Sequence, residues 1–427
     1  MSLQPSQEIE LQIEKPAAGG RMIARYERQV VLVLGAIPGE RVLARISRVE
    51  RQVAFGDVLE VLEPSPDRRE MGGDPRCGGC LYAHVSYGRG LELKGEVIAD
   101  AFARLGRIPL PSPVPVDASP DRGYRMRARL HVRSGRVGFY REGTHELCDA
   151  AGTGQLSDEA VNAAQTATTH LAERGTAVSS LELTENMAAD QRVLQITASP
   201  GTELEDAALD GAAAAAALSG LSARTENGRL HTSGVPIVSD SLDSLTAGRV
   251  VSGALERHAE SFFQANRFLL PSLVQAVLDA VPADGDLLDL YAGVGLFSVA
   301  LAATGRTRVT AVEGDRSSGK DLQRNAAPYA GALRVSIGSV EEYLTRRRAP
   351  GPATIIVDPP RTGISREAMQ AVVARGAPRV VYVSCDPATM ARDARRLLDG
   401  GYRLTSLRGF DLFPNTPHVE AVGVFDR

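Results

Sequence analysis

The sequence predicts an α/β protein whose carboxyl-terminal region is a mostly parallel sheet, preceded by a small β-barrel and a mixed α+β region. Two patterns and the length carry that prediction. After about residue 260, five short apolar runs, LLDLYAG, VTAVEG, RVSIGS, IIVDPP and VVYVSC, alternate with helical stretches such as GLFSVALAATG, GKDLQRNAA and EAMQAVVARG. Such alternation is the grammar of βαβ units with both sheet faces covered. The first 62 residues instead carry β-rich runs (EIELQIEK, VVLVLGAIPGERVLARISRV, GDVLEVLE) between Gly and Pro turns, which a small barrel closes without leaving edges. At 427 residues the chain is also too long for one ordinary core.

In chain order the expected units are a barrel over 1–62, a central α+β domain over 63–250 and the parallel-sheet domain over 251–427. The polar stretch PSPDRREMGGDPR marks the first boundary. CGGC follows, then YGRGLELKGEVIADAFARLG, whose apolar spacing suits an amphipathic helix near 88–106 able to pack on the parallel-sheet domain. RMRARLHVR reads as a strand, DEAVNAAQTATTHLAERG as a helix, and GAAAAAALSG at 211–220 as a small-residue helix.

The 43% hydrophobic and 23% charged residues are those of a soluble globular protein. No apolar run is long enough to cross a membrane, and the polar, acidic start lacks a signal-peptide layout, so a cytoplasmic monomer is expected. Four cysteines in so long a chain do not make a secreted disulfide framework. A net charge of −4 gives no global attraction to nucleic acid, which would have to be met by local basic patches.

Ligands of open α/β sheets sit outside the carboxyl ends of the strands, so the residues closing each run are the ones to read for chemistry. The first run closes on DLYAGVG, Asp289 to Gly295, where two glycines permit a tight turn and close approach to a ligand. Leu296-Phe297-Ser298 stands where a dinucleotide fingerprint needs its third glycine. The second run closes on Glu313, about 20 positions on, where an acid can accept hydrogen bonds from both ribose hydroxyls. Together these indicate a nucleoside-bearing cofactor, S-adenosylmethionine rather than NAD. The fourth run closes on Asp358-Pro-Pro-Arg361, whose prolines fix an extended turn.

The fifth run delivers Cys385 to the same edge. A lone cysteine is commonly an inert buried hydrophobe. Beside a methyl donor it is a covalent catalyst, because thiolate attack at C6 of a pyrimidine makes C5 nucleophilic. A base must then take the C5 proton, and FPNTPHVE offers Glu420 and His418.

With these residues in place the chain resembles the S-adenosylmethionine-dependent RNA uracil-C5 (5-methyluridine) methyltransferases. The resemblance covers nearly the whole sequence: SFFQAN, DLYAGVGLFS, VEGD, DPPRTG, SCDPAT and FPNTPHVE follow in that family's order. It implies a Rossmann-like class I methyltransferase domain, with the β-rich start as an RNA-binding TRAM domain. It further implies Gln264, Tyr291, Glu313 and Asp358 as cofactor contacts, Cys385 as nucleophile and Glu420 as base. The absence of a thiol after the fourth run favours uracil over cytosine.

Many members of that family hold an iron–sulfur cluster on Cys-x5-Cys-x2-Cys and a distant cysteine. Here Cys77, Cys80 and Cys148 fit three of these positions, but Met71 stands at the first, and a thioether is a poor substitute for thiolate. A labile [4Fe-4S] cluster, loss of the cluster, and zinc on an incomplete site all remain open at this level.

For RNA, strand alternation places Arg125, Arg127, Arg129, His131 and Arg133 on one face, with few acids in the segment. A solvated charged face is the other reading, and the fitting one for Arg346-Arg347-Arg348. Two rivals stand beside uridine methylation in tRNA or 23S rRNA: methylation of another nucleobase or small molecule, and a catalytically silent RNA-binding factor.

Overall fold

A computed structural model describes residues 3–225, 228–346 and 351–427; Arg347 and Arg348 of the basic triplet lie outside them. The strands Glu8–Pro16, Met22–Tyr26, Gln29–Leu34, Arg41–Val49 and Val53–Glu63 close into a barrel. Period-two alternation builds it: Ile9, Leu11 and Ile13 fill the interior while Glu8, Glu10 and Gln12 face water.

The central region forms a seven-stranded sheet that includes Arg127–Arg133, Val178–Glu185 and Arg192–Ala198. The helices Asp158–Glu173 and Asp206–Ala215 pack on it. Ser157 caps the first by accepting from the Ala160 N–H. In the second, Ala208, Ala212 and Ala213 are buried, their small side chains letting the helix lie close to its neighbour.

The third unit is an eight-stranded sheet. Its first five strands in spatial order, Leu333–Ile337, Val309–Glu313, Leu287–Leu290, Thr354–Val357 and Arg379–Ser384, run parallel. Next to them Glu420–Asp426 runs antiparallel, pairing Ser384 with Ala421, and Arg403–Phe410 follows. The reversal brings the start of Glu420–Asp426 to the edge where the parallel strands end.

Earlier segments complete this core. The helix Tyr87–Ala101 contributes Ile98 and Ala99, with Phe102 just beyond it, to the apolar cluster containing Leu290, Val357 and Tyr382. The short strand Val116–Asp117 pairs with Gly409 and Phe410 at the sheet's outer edge. Among the described residues no helix is long and apolar enough to cross a membrane.

Candidate active site

A cavity of about 890 Å³ lies across the carboxyl edge of the parallel strands, closed on its far side by the central region. Gln264, Tyr291, Glu313, Asp358, Cys385 and Glu420 all line it. The turn from Leu287–Leu290 into the helix Leu296–Ala303 explains the glycines: Gly293 and Gly295 adopt φ of 57° and 99°. Tyr291 is held at φ 61°, a costly conformation for an aromatic residue and one that clusters at functional sites.

One half of the cavity is acidic. Glu313 accepts the Gly293 N–H at 2.7 Å and the Asp315 N–H at 2.6 Å, which orient its carboxylate toward the glycine turn. Asp358 lies 3.5 Å from the Gln264 amide. Asp289, in the first parallel strand, is fully buried behind the cavity wall, next to Ser298. Burial pushes Asp289 up to about 7 against the Ser298 hydroxyl and N–H, which oppose the rise, and Asp358 and Glu313 add to it. Burial likewise pushes Asp358 up to about 7, with Glu313 adding to it. Unpartnered carboxylates are costly unless a cation joins them. The methionyl ammonium and the sulfonium of S-adenosylmethionine are such cations, and the site fits that cofactor.

In the other half, Cys385 and Glu420 face each other across adjacent strands. Burial pushes the Cys385 thiol up to about 11, with the Glu420 carboxylate opposing ionisation and the Arg361 guanidinium favouring it. Glu420 is buried, its Oε1 has no partner, and burial together with Asp358 raises it well above the ordinary carboxylate range, again against Arg361. His418 is driven down to about 4 by burial and by the cations Arg361, Lys94 and Arg125, so it is neutral at physiological pH and sits edge-on to Phe413.

Every earlier part of the chain holds the loop between Phe410 and Glu420. Lys94, fully buried on the helix Tyr87–Ala101, pairs with Asp411 and donates to the Phe413 carbonyl. Arg69 donates to the Asn415 side chain, Tyr82 N–H to the Asn415 carbonyl at 2.9 Å, and Asn266 to the Leu412 carbonyl. Gly20, in a barrel turn at φ 91°, approaches so closely that a Cβ there would lie 2.9 Å from Pro417.

The arginine stripe divides. Arg125 and Arg127 line the cavity, whereas Arg129 is exposed. Arg125 lies between the Phe139 and Phe413 rings and donates to Gln155, with no carboxylate in ion-pair range among the described residues. Arg127 is paired with Glu182 at 2.8 Å. The acid missing from the segment itself thus comes from the neighbouring strand.

Of the three open readings of the metal motif, the structure favours loss of the cluster. Cys77 and Cys148 are joined by a disulfide, and Cys80 is buried and alone. Two of three candidate thiolates are thereby consumed, Met71 offers no fourth, and the residues do not fit a [4Fe-4S] cluster or a closed zinc site.

Sequence reasoning gave no role to Asp289, Arg361 or Lys94. The first two carry a signal, since each sits inside a strand-end motif. Lys94 carries none, because a lysine in an amphipathic helix normally faces water.

Comparisons with known proteins agree with this geometry. Residues 351–427 match the family model described as tRNA (Uracil-5-)-methyltransferase, and residues 3–59 match the TRAM domain. An uncharacterized RNA methyltransferase of Streptomyces coelicolor is 34% identical, over 98% of this chain and 93% of that protein. The 23S rRNA (uracil(1939)-C(5))-methyltransferase of Methylococcus capsulatus is 31% identical, over 99% of this chain and 98% of that protein. The fold is that of the Pyrococcus abyssi tRNA (uracil-54, C5)-methyltransferase solved with S-adenosyl-L-homocysteine (TM-score 0.76, 23% identity, 97% of this chain and 99% of that one).

Proposed function

The chain belongs to the S-adenosylmethionine-dependent RNA (uracil-C5)-methyltransferase family, and from that premise we propose that it methylates C5 of a uridine in 23S rRNA through a covalent Cys385–C6 adduct. The observation that carries the mechanism is the meeting of Cys385, Glu420 and Arg361 beside an acidic, cation-seeking half-cavity.

The bound cofactor supplies an electrophilic methyl group on a sulfonium. Asp358 and Glu313 would hold it by charge and hydrogen bonding, with Gln264 and Tyr291 completing the wall. The uridine must leave its stack to enter, since a paired base cannot reach the cavity. The Cys385 sulfur bonds to C6, and the C5–C6 π electrons shift toward C5 and O4. C5 would then take the methyl group, the methyl–sulfur bond breaking with its electron pair left on the cofactor's sulfur as a neutral thioether. Glu420 removes the C5 proton, the C6–S bond breaks, and the double bond reforms. Both groups must be deprotonated to act, and Arg361 is the cation that favours this. Arg125, Arg127 and Arg129 are assigned to the RNA.

The 23S assignment is supported by the 31% likeness to an enzyme named for that RNA, against 23% to one named for tRNA. The test is methyl transfer from labelled S-adenosylmethionine to unmodified transcripts of 23S rRNA and of tRNA, with 5-fluorouridine versions run on denaturing gels. A Cys385-dependent adduct with 23S transcript is expected. Transfer to tRNA alone would move the substrate, and an adduct that persists in Cys385→Ala would remove the nucleophile.

A further inference from the structure

A second cavity, of about 420 Å³, adjoins the first and shares Tyr291 and Pro360 with it. Arg366, Arg392 and Arg396 line it, and Glu341 is the acid at its rim, already accepting from Ser365 at 2.8 Å. Two of these arginines are fixed from below. Asp393, fully buried, accepts from Arg392 Nε and from Arg396 Nη1 at 3.0 Å each, and also from the Tyr382 hydroxyl and the Ile364 N–H at 2.9 Å each. Arg392 also donates to the Thr362 carbonyl at 2.9 Å and Arg396 to that of Ile364 at 3.3 Å. Each guanidinium so uses part of its fork on the scaffold and keeps the rest for the cavity. Arg366 is exposed and has no ion-pair partner among the described residues.

We propose that this cavity is a phosphate-binding site that grips the backbone of the substrate RNA next to the everted uridine. The proposal rests on the RNA-uridine reading above. Three forked cations around one small acid-poor basin suit phosphate oxygens, which arginine recognises in bidentate fashion. Everting a base turns its flanking phosphates out of helical register, so a second grip beside the base pocket would hold the distorted strand. Asp393 acts here as a positioning residue. It presents Arg392 and Arg396 and, through Ile364, ties them to the loop that carries Arg361.

The test uses the full-length enzyme and the unmodified transcript that accepts methyl groups in the assay above. Arg366→Ala should raise KM for RNA by about 5- to 20-fold, leave kcat and the KM for S-adenosylmethionine within about twofold, and flatten the salt dependence of RNA binding by about one unit of slope. Arg392→Ala should do the same, with cofactor binding by calorimetry checking that the loop has kept its shape. Unchanged RNA affinity and salt slope in both variants would overturn the site while leaving the methyltransferase intact. Failure of the wild-type enzyme to bind or methylate either transcript would overturn the underlying reading and this site with it.

Discussion

Between the two large sheets, Asp240 and Arg257 are fully buried and bonded to each other, and Glu185 is buried between Arg192 and Arg267. At the carboxyl edge of the parallel sheet, Glu420 is equally buried, yet carries an oxygen with no partner, and Asp358 reaches only a distant amide. The two regions treat their buried carboxylates differently. Where a charge serves architecture, its counter-ion comes from the chain itself. Where it serves chemistry, the place of the counter-ion is left for a ligand. An uncompensated buried carboxylate is therefore a marker of binding, and the paired ones are markers of scaffold.

The sharpest break of this contrast comes from the proposed reacting pair, Cys385 and Glu420. Cys385→Ala should lower turnover by at least ~10⁴-fold and abolish the adduct without altering cofactor affinity. Glu420→Gln should lower turnover by about 10²–10⁴-fold and let the adduct accumulate on denaturing gels, because the C5 proton stays in place. Next, one substitution from each region opposes the two. Arg257→Met strands Asp240 and should cost about 3–5 kcal/mol in urea unfolding. Asp358→Asn removes a carboxylate that has no counter-ion, so apo stability should hold or rise while S-adenosylmethionine affinity falls at least ~10-fold in calorimetry.

A smaller effect follows from protonation. Asp289 and Asp358 sit at about 7 in the folded chain against an ordinary value of 3.8. Between those pH values the folded chain binds more protons than the unfolded one, so the contribution of both groups to stability is present below the lower value and is lost as pH rises through the upper. Thermal melts should show apo stability falling from pH 5 to pH 8, and added S-adenosylmethionine stabilising more at pH 8 than at pH 6. Least of all, Glu8→Gln, which breaks a half-exposed pair with Arg45 on the barrel at 2.8 Å, should move Tm by no more than roughly two degrees.

Local pattern made much of this legible. Alternation declared the barrel, short apolar runs declared the parallel strands, and a residue closing a parallel strand can only lie at the sheet's carboxyl edge, which is how Asp358 and Cys385 were found. What local pattern omits is the partner across space. The stripe from Arg125 to Arg133 looked free of acids because Glu182 comes from another strand, and the register that joins them is not written in either segment. The reversed direction of Glu420–Asp426, which sets Glu420 opposite Cys385, depends on a pairing likewise invisible in one dimension. Spacing could relate Cys77, Cys80 and Cys148 to one another, but not that Cys77 and Cys148 bond directly.

The loop from Asp411 to Val419 has a consequence for how the parts of the chain depend on one another. Its holdfasts, Gly20, Arg69, Tyr82, Lys94 and Asn266, all lie far upstream of it in the chain. Because segments so far apart in the chain all fix this loop, the position of Glu420 beside Cys385 depends on the barrel, the helix Tyr87–Ala101 and the parallel-sheet domain packing together. That corner of the cavity is therefore a reporter of the whole fold, sensitive to damage in segments that never line the parallel sheet's ligand edge.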